Sequence, residues 1–362
     1  MTVSLSHDLQ PPHPAHRFDA QALRRWLADT FGDDPGPLDV RQFEGGMSNP
    51  TFLITTEISE RWVLRKKPPG SLLPKAHAVD REHRIMSALA DTRVPVPRMR
   101  AYCDDREVIG VEFFLMEYVE GRVVSDPGMS GIQPAQRREI AFALVDTLAC
   151  LHNLDWRHLG LADYGRPEGF MARQVRRWSG QYDAAKTALP ASLDHSDMDW
   201  LRDWLAEHGS VADNATIVHG DFRLGNVILH PRDARPLAVL DWELSTIGHP
   251  LSDLAYLMLP YHLPRRLPQF PDLRENGLPT EREILNRYAQ ATGRAVMNDW
   301  PLFLAFSCFR YAAIVHGVAA RAAQGNASSA RADPTRDANR AMAVASLGRE
   351  IAASCRFGGT AH

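Results

Sequence analysis

The chain has 362 residues, 44% of them apolar and 23% charged, which suits a globular protein with room for two sizeable cores. A net charge of −3 provides no global attraction for nucleic acid or for an anionic membrane surface. Four scattered cysteines, Cys103, Cys150, Cys308 and Cys355, lack CxxC spacing, so neither a zinc site nor a disulfide framework is expected.

Residues 1–18 are polar and proline-rich, without the apolar run of a signal peptide, and read as a flexible arm on a cytoplasmic protein. An amphipathic helix follows over Asp19–Phe31, with Leu23, Trp26 and Leu27 on one side. Strands are expected over Leu38–Phe43, Thr51–Thr55 and Arg61–Arg65. The turn Glu44-Gly45-Gly46-Met47-Ser48-Asn49-Pro50 between the first two could fold backbone N–H groups over a phosphate or be a plain hairpin turn. A helix over His77–Leu89 places Glu82 on the stripe of Ile85, Met86 and Leu89. A carboxylate on that stripe needs a cation, and Arg65 and Lys66 are the nearest in sequence. Val108–Tyr118 reads as a hairpin whose second strand, starting at Phe113, runs through Glu117-Tyr118-Val119 into a glycine-containing connector, a plausible hinge.

Beyond the hinge the pattern turns helical. Pro134 opens a helix that continues through Ile140, Leu144, Leu148 and Leu151 to His152. Helical segments are expected near 168–188 and 197–208, then Arg282–Thr292, Trp300–Gln324 and Pro334–Cys355. The apolar stretch Leu302–Ala320 contains Arg310 and His316 and is better explained by a buried helix than by a membrane span.

The densest signal lies between these helices. Ile217-Val218-His219-Gly220-Asp221-Phe222-Arg223-Leu224-Gly225-Asn226 precedes two apolar runs, Val227–Leu229 and Leu237–Leu240, joined by turn residues and followed by Asp241-Trp242-Glu243. This is a β-hairpin pattern. A turn centred near Asp233 would set Asn226 opposite Asp241, about 5 Å apart, so that an amide oxygen and a carboxylate could share one divalent cation. Hard oxygen ligands with room for water and phosphate suit Mg²⁺, and Asp221 just upstream could accept a hydroxyl proton. Together these parts describe phosphoryl transfer.

The order of glycine loop, cation-bearing strand, Glu82 helix, Met116-Glu117-Tyr118-Val119 hinge, His219-Gly220-Asp221…Asn226 and Asp241-Trp242-Glu243 resembles the aminoglycoside phosphotransferase superfamily, over roughly residues 20–325. Within it, Val63-Leu64-Arg65-Lys66-Lys67-Pro68-Pro69-Gly70-Ser71-Leu72-Leu73-Pro74-Lys75-Ala76-His77 and Leu240-Asp241-Trp242-Glu243-Leu244-Ser245-Thr246-Ile247-Gly248-His249-Pro250 are similar to the kinase-like domains that precede acyl-CoA dehydrogenases, and to their stand-alone bacterial relatives. The resemblance implies an α+β, two-lobed protein-kinase-like fold. Residues 19–119 would form a nucleotide-binding N-lobe of antiparallel sheet plus helix, and 120–362 a larger, mainly helical C-lobe. It implies ATP and Mg²⁺ as cofactors and a small-molecule acceptor.

Residue by residue, Asp221 is the implied catalytic base, with Arg223 beside it in the catalytic loop. Asn226 and Asp241 are the implied metal ligands. Arg65, held by Glu82, would grip the phosphates, with Lys66 in reserve. Glu117 and Val119 would meet adenine through the main chain, and Gly46, Ser48 and Asn49 would cover the phosphates. Asp253 and His219 would support the loop. Two positions depart from the pattern: Arg65 stands where many kinases have Lys, and Gly225 where relatives often have Asp. Arg176, Arg177, Trp178, Arg310, Tyr311 and Arg321 put arginines and aromatics on C-lobe helices, which suits an anionic acceptor such as a hydroxyacyl-CoA better than a polycation. An antibiotic kinase and a nucleotide-binding pseudokinase are the alternatives. No nucleic-acid or membrane partner is expected.

Overall fold

A computed structural model describes residues 9–44, 49–69, 78–209, 211–273, 276–325 and 333–355. The chain divides into two compact units, the first formed by residues 1–124 with 225–245 and the second by 125–224 with 246–362. The expected boundary at residue 119 therefore moves to 124. The hairpin that follows Asp221 belongs to the first unit rather than to the helical one.

The first unit begins with β1 (Leu9–Gln10), α1 (Ala20–Phe31), β2 (Asp39–Phe43), β3 (Thr51–Thr55), β4 (Arg61–Lys66), α2 (Val79–Leu89), β5 (Met99–Cys103), α3 (Arg106–Ile109), β6 (Phe113–Glu117) and β7 (Arg122–Val123). Its six-stranded antiparallel sheet has the order β1-β2-β3-β4-β6-β5. Strand alternation divides the side chains. Phe52, Ile54, Leu64, Phe113 and Leu115 join Leu23 and Leu27 of α1 in one core. The opposite face carries Arg65 and Phe114, and His83 of α2 lies against the Phe114 ring. Asp19 caps α1 by accepting the Gln21 N–H, and Gly32, at φ +85°, ends it.

Two expectations need correction here. Residues 9–18 are not a loose arm: Leu9 and Gln10 pair with Phe43 and Gln42, and Phe18 packs edge-on against Phe52 at 5.2 Å. The segment expected as the first strand of a hairpin near Val108 is the short helix α3. Asp105 caps it by accepting the Glu107 N–H at 2.9 Å, and Gly110, at φ +88°, closes it. The strand that flanks β6 is instead β5.

The second unit contributes α4 (Pro134–His152), α5 (Phe170–Lys186), α6 (Ser196–His208) and β8 (Thr216–Val218). The chain then returns to the first unit for β9 (Val227–Leu229) and β10 (Pro236–Val239). It goes back to the second for β11 (Thr246–Gly248), α7 (Leu251–Met258), α8 (Glu281–Thr292), α9 (Trp300–Ala323) and α10 (Pro334–Ala353). β8 and β11 pair antiparallel. α9 is apolar and long enough to span a membrane by composition, yet it is mostly buried among α5, α6, α7 and α10. Phe303, Phe306, Phe309 and His316 are among its buried side chains.

Candidate active site

In the first unit, Arg65 is the hub. Its Nε lies 2.8 Å from Glu82 Oε2, and its Nη2 lies 2.9 Å from Asp241 Oδ1. The antiparallel register sets Arg65 opposite Thr51 on one side and Phe114 on the other, which aims its side chain at α2. Glu82 is buried, and the Asn49 amide donates to its second oxygen at 2.7 Å. Burial alone would lower the Arg65 guanidinium. The charges of Glu82, Asp241 and Glu243 outweigh that and raise it. Lys66, one residue on, is buried in the sheet away from this group, and burial lowers its ammonium. Alternation thus separates the two cations, with Arg65 beside the acids. Gly46 and Ser48 lie outside the described residues. Asn49, expected over the phosphates, braces Glu82 instead.

The hairpin has the expected strands but not the expected register. Val227 pairs with Val239, and the Leu240 N–H donates to the Asn226 carbonyl at 2.8 Å. Asn226 therefore faces Leu240, not Asp241. The cause is the turn, which is centred between Arg232 and Asp233, with Pro236 opposite Leu229; an irregularity between Pro236 and Ala238 then shifts the pairing by one residue, which recovers half of the difference. Asp241 lies one step beyond the ladder in a left-handed conformation, φ 66° and ψ 60°, which is uncommon for a residue with a Cβ. Trp242, fully buried, donates from its indole to the Val239 carbonyl and anchors the turn. An amide oxygen from buried Asn226 and a carboxylate from partly exposed Asp241 are hard donors of the kind Mg²⁺ takes alongside phosphate and water. At the hinge, the Glu117 N–H is already donated to the Arg98 carbonyl at 2.9 Å, and Val119 lies past the last ladder residue.

In the second unit, the backbone before Asp221 is held by Asp253. Its carboxylate accepts the N–H groups of His219 at 2.6 Å and Gly220 at 2.8 Å, and His152 Nε2 lies 3.4 Å away. Burial by itself would raise the Asp253 carboxyl, but His152 and the Gly220 N–H help to pull it below its usual range. Gly220, at φ +84°, supplies the left-handed step that points both N–H groups at one carboxylate. His219 is buried, and its Nδ1 accepts the Asp221 N–H at 3.1 Å, an orienting contact. Asp221 itself pairs with Arg223, Nε to Oδ2 at 3.2 Å.

Sequence reasoning missed Tyr256. It hydrogen-bonds Asp221, and burial together with the Asp221 charge raises its hydroxyl. Arg310 packs over the Tyr256 ring at 4.6 Å and the Trp178 ring at 5.3 Å, and Nη2 donates to the Gly220 carbonyl. The proposed acceptor group therefore separates. Trp178 and Arg310 are buried together behind Asp221, whereas Arg176 and Arg177 are exposed on α5. Arg321 is exposed three turns along α9 from Arg310, about 16 Å by helical rise. Tyr311 lies under a further arginine, Arg340, that the sequence reading did not select.

Residues 39–300 match the model of the phosphotransferase enzyme family. The acyl-CoA dehydrogenase family member 11 of Rattus norvegicus is 42% identical over 97% of this chain and 45% of that protein, so the chain spans less than half the length of this relative. A Ralstonia eutropha crystal structure, provisionally described as an aminoglycoside phosphotransferase, is 40% identical. It superposes with a TM-score of 0.81 over 94% of this chain and all of that one. A thermostable aminoglycoside phosphotransferase variant, solved with AMP-PNP and hygromycin B, shares the fold at 16% identity and a TM-score of 0.59, covering 92% of this chain and all of that one.

Proposed function

The chain belongs to the phosphotransferase enzyme family, and we propose that it moves the γ-phosphate of ATP, with Mg²⁺, to a hydroxyl of a hydroxyacyl-CoA or a closely related anionic acceptor. The observation that carries this reading is Arg65 clamped by Glu82 and Asp241, a cation fixed among acids beside the proposed metal ligand. A guanidinium can hold phosphate oxygens through two parallel hydrogen bonds, so arginine can take the place of lysine there.

Asp221 is the proposed base. Its carboxylate takes the acceptor's hydroxyl proton, the oxygen forms a bond to the γ-phosphorus, and the bond to ADP breaks. Asn226 and Asp241 would hold Mg²⁺, which when bound supplies positive charge to the phosphate oxygens. Asp253, His219 and Tyr256 fix Asp221 before the acceptor arrives, so little reorganisation is needed at the moment of transfer.

An anionic acceptor is supported by the charges around Asp221. Arg223 lies beside Asp221 and is half-exposed, so a polycationic antibiotic would meet its like charge, while Arg310 adds positive charge from behind the loop. The 42% identity to part of an acyl-CoA dehydrogenase family member supports a role in acyl-CoA metabolism. The test is direct. The protein is incubated with ATP, Mg²⁺ and a panel of hydroxyacyl-CoAs, free hydroxy acids, amino alcohols and aminoglycosides, and products are screened by mass for an added phosphate. A hydroxyacyl-CoA phosphate, lost in Asp221→Ala with nucleotide binding retained, is the expected result. Phosphate on an aminoglycoside alone would make the protein an antibiotic kinase, and ATP binding without any product a pseudokinase.

A further inference from the structure

Among the described residues, Arg340 on α10 has no counter-charge. Its guanidinium lies over the rings of Phe270, at 4.9 Å, and Tyr311, at 5.2 Å, and Nη2 donates to the Tyr311 hydroxyl. Its Nε is buried without an acceptor, and among the described residues no carboxylate lies within ion-pair distance. The contrast with Arg65, which holds two acids, is sharp. Two aromatic faces offset a guanidinium's desolvation only in part. Burial pulls Arg340 below its ordinary range, and the opposing influence is Tyr256, the residue that holds Asp221.

We infer that Arg340, with Tyr311 and Phe270, is an oxyanion subsite that receives a carboxylate or phosphate group of the acceptor whose hydroxyl Asp221 deprotonates. The inference rests on the phosphotransferase reading above and adds where the acceptor's charge is held. Arg310 has a different role. Its Nη2 is committed to the Gly220 carbonyl and its plane to Tyr256 and Trp178, so it positions the loop. An acceptor with an oxyanion on Arg340 would lie along the same Tyr256-centred cluster that orients the base. Both oxygens of such a group can be engaged by one guanidinium, a geometry lysine cannot reproduce.

Binding without ATP tests this separately from turnover. Wild type, Arg340→Gln and Arg340→Lys would be titrated calorimetrically with 3-hydroxybutyryl-CoA, 3-hydroxybutyrate and the neutral N-acetylcysteamine thioester of 3-hydroxybutyrate. At least one anionic probe should bind wild type and weaken roughly tenfold or more in Arg340→Gln, with part of the loss restored in Arg340→Lys. The neutral thioester should show no dependence on Arg340. Loss confined to the CoA ester identifies a phosphate as the bound group; loss with the free acid identifies a carboxylate. Equal binding of the anionic probes by wild type and Arg340→Gln, or no binding of either, overturns the subsite. If Arg340→Gln does not fold, Arg340→Lys and Tyr311→Phe carry the same comparison. A protein that binds through Arg340 yet transfers no phosphate would overturn the proposed reaction and leave the subsite standing.

Discussion

Arg65 Nε and Glu82 Oε2 meet at 2.8 Å, and the Glu82 carboxylate is almost completely shielded from solvent. Removing one partner of a buried pair leaves the other charge uncompensated and costs about 3–5 kcal/mol. Here the loss should fall at the low end, because Arg65 keeps Asp241. Glu82→Gln retains an oxygen for the Asn49 amide but frees Arg65 to swing. The expected outcome is a roughly tenfold rise in KM for ATP with a smaller change in kcat, measured by steady-state kinetics. Lower stability with KM unchanged would reduce the pair to a structural clamp.

Asp253 offers a complementary prediction on the other unit. Its two oxygens take two consecutive backbone N–H groups, and an asparagine can accept only one while presenting its own NH₂ to the second. Charge-assisted bonds of this kind contribute about 1.5–3 kcal/mol. Asp253→Asn should therefore lower stability by about that amount and reduce kcat by misplacing Asp221. Acceptor and nucleotide KM should stay near wild type. Denaturant melts and kinetics on one preparation check both halves; full activity would mean that Asp221 needs no such brace.

Much of this was legible in the sequence because it is local. The helices α1, α4, α9 and α10 follow from apolar periodicity and from their caps, and β3, β4 and β9 from short apolar runs bounded by turns. The pairing of Arg65 with Glu82 also followed, since an acid on a buried stripe demands a cation. What failed depended on single residues that interrupt a pattern. A turn centred one residue earlier than its composition suggested, only half offset by the irregularity before Ala238, left the hairpin register one short, and the Asp105 cap turned an apparent strand into α3. Tyr256 and Arg340 were invisible for another reason. Their significance comes from packing between segments 35 and more residues apart in sequence, Tyr256 with Asp221 and Arg340 with Phe270.

Acid sensitivity follows from two buried histidines. His316 is fully buried with neither ring nitrogen hydrogen-bonded, and His249 stacks on Phe303 at 4.3 Å. Burial lowers both to about 4. Unfolded histidines titrate near 6.5. Between about pH 6.5 and about pH 4 the unfolded chain binds more protons, so these residues favour unfolding increasingly as pH falls, and the loss levels off below about 4. The ceiling is about 3 kcal/mol for each residue. His316→Leu should flatten the stability profile across that window and leave it unchanged above pH 7. Chemical denaturation at pH 7.5, 6 and 5 measures it; parallel profiles for wild type and variant would refute the assignment.

The proposed metal ligands depend on a close approach of two strands, which glycine permits. A Cβ built on Gly121 would lie 2.4 Å from Ile228 Cγ2 and 2.4 Å from the Leu229 carbonyl oxygen. Isoleucine can rotate away, but the carbonyl belongs to β9, which pairs with β7 through Arg122 and Leu229. Relief therefore requires β9 to shift, and β9 starts immediately after Asn226. Gly121→Ala should cost about 1–3 kcal/mol, as overpacking does. It should also weaken Mg²⁺ dependence, with a several-fold higher metal concentration needed for half-maximal turnover. Gly180, within α5, is the control: nothing lies within 4 Å of its added Cβ. Gly180→Ala should stabilise by roughly 0.5–1 kcal/mol through helix propensity alone, with metal dependence unchanged. A shift in metal dependence in both variants, or in neither, would separate β9 placement from metal binding.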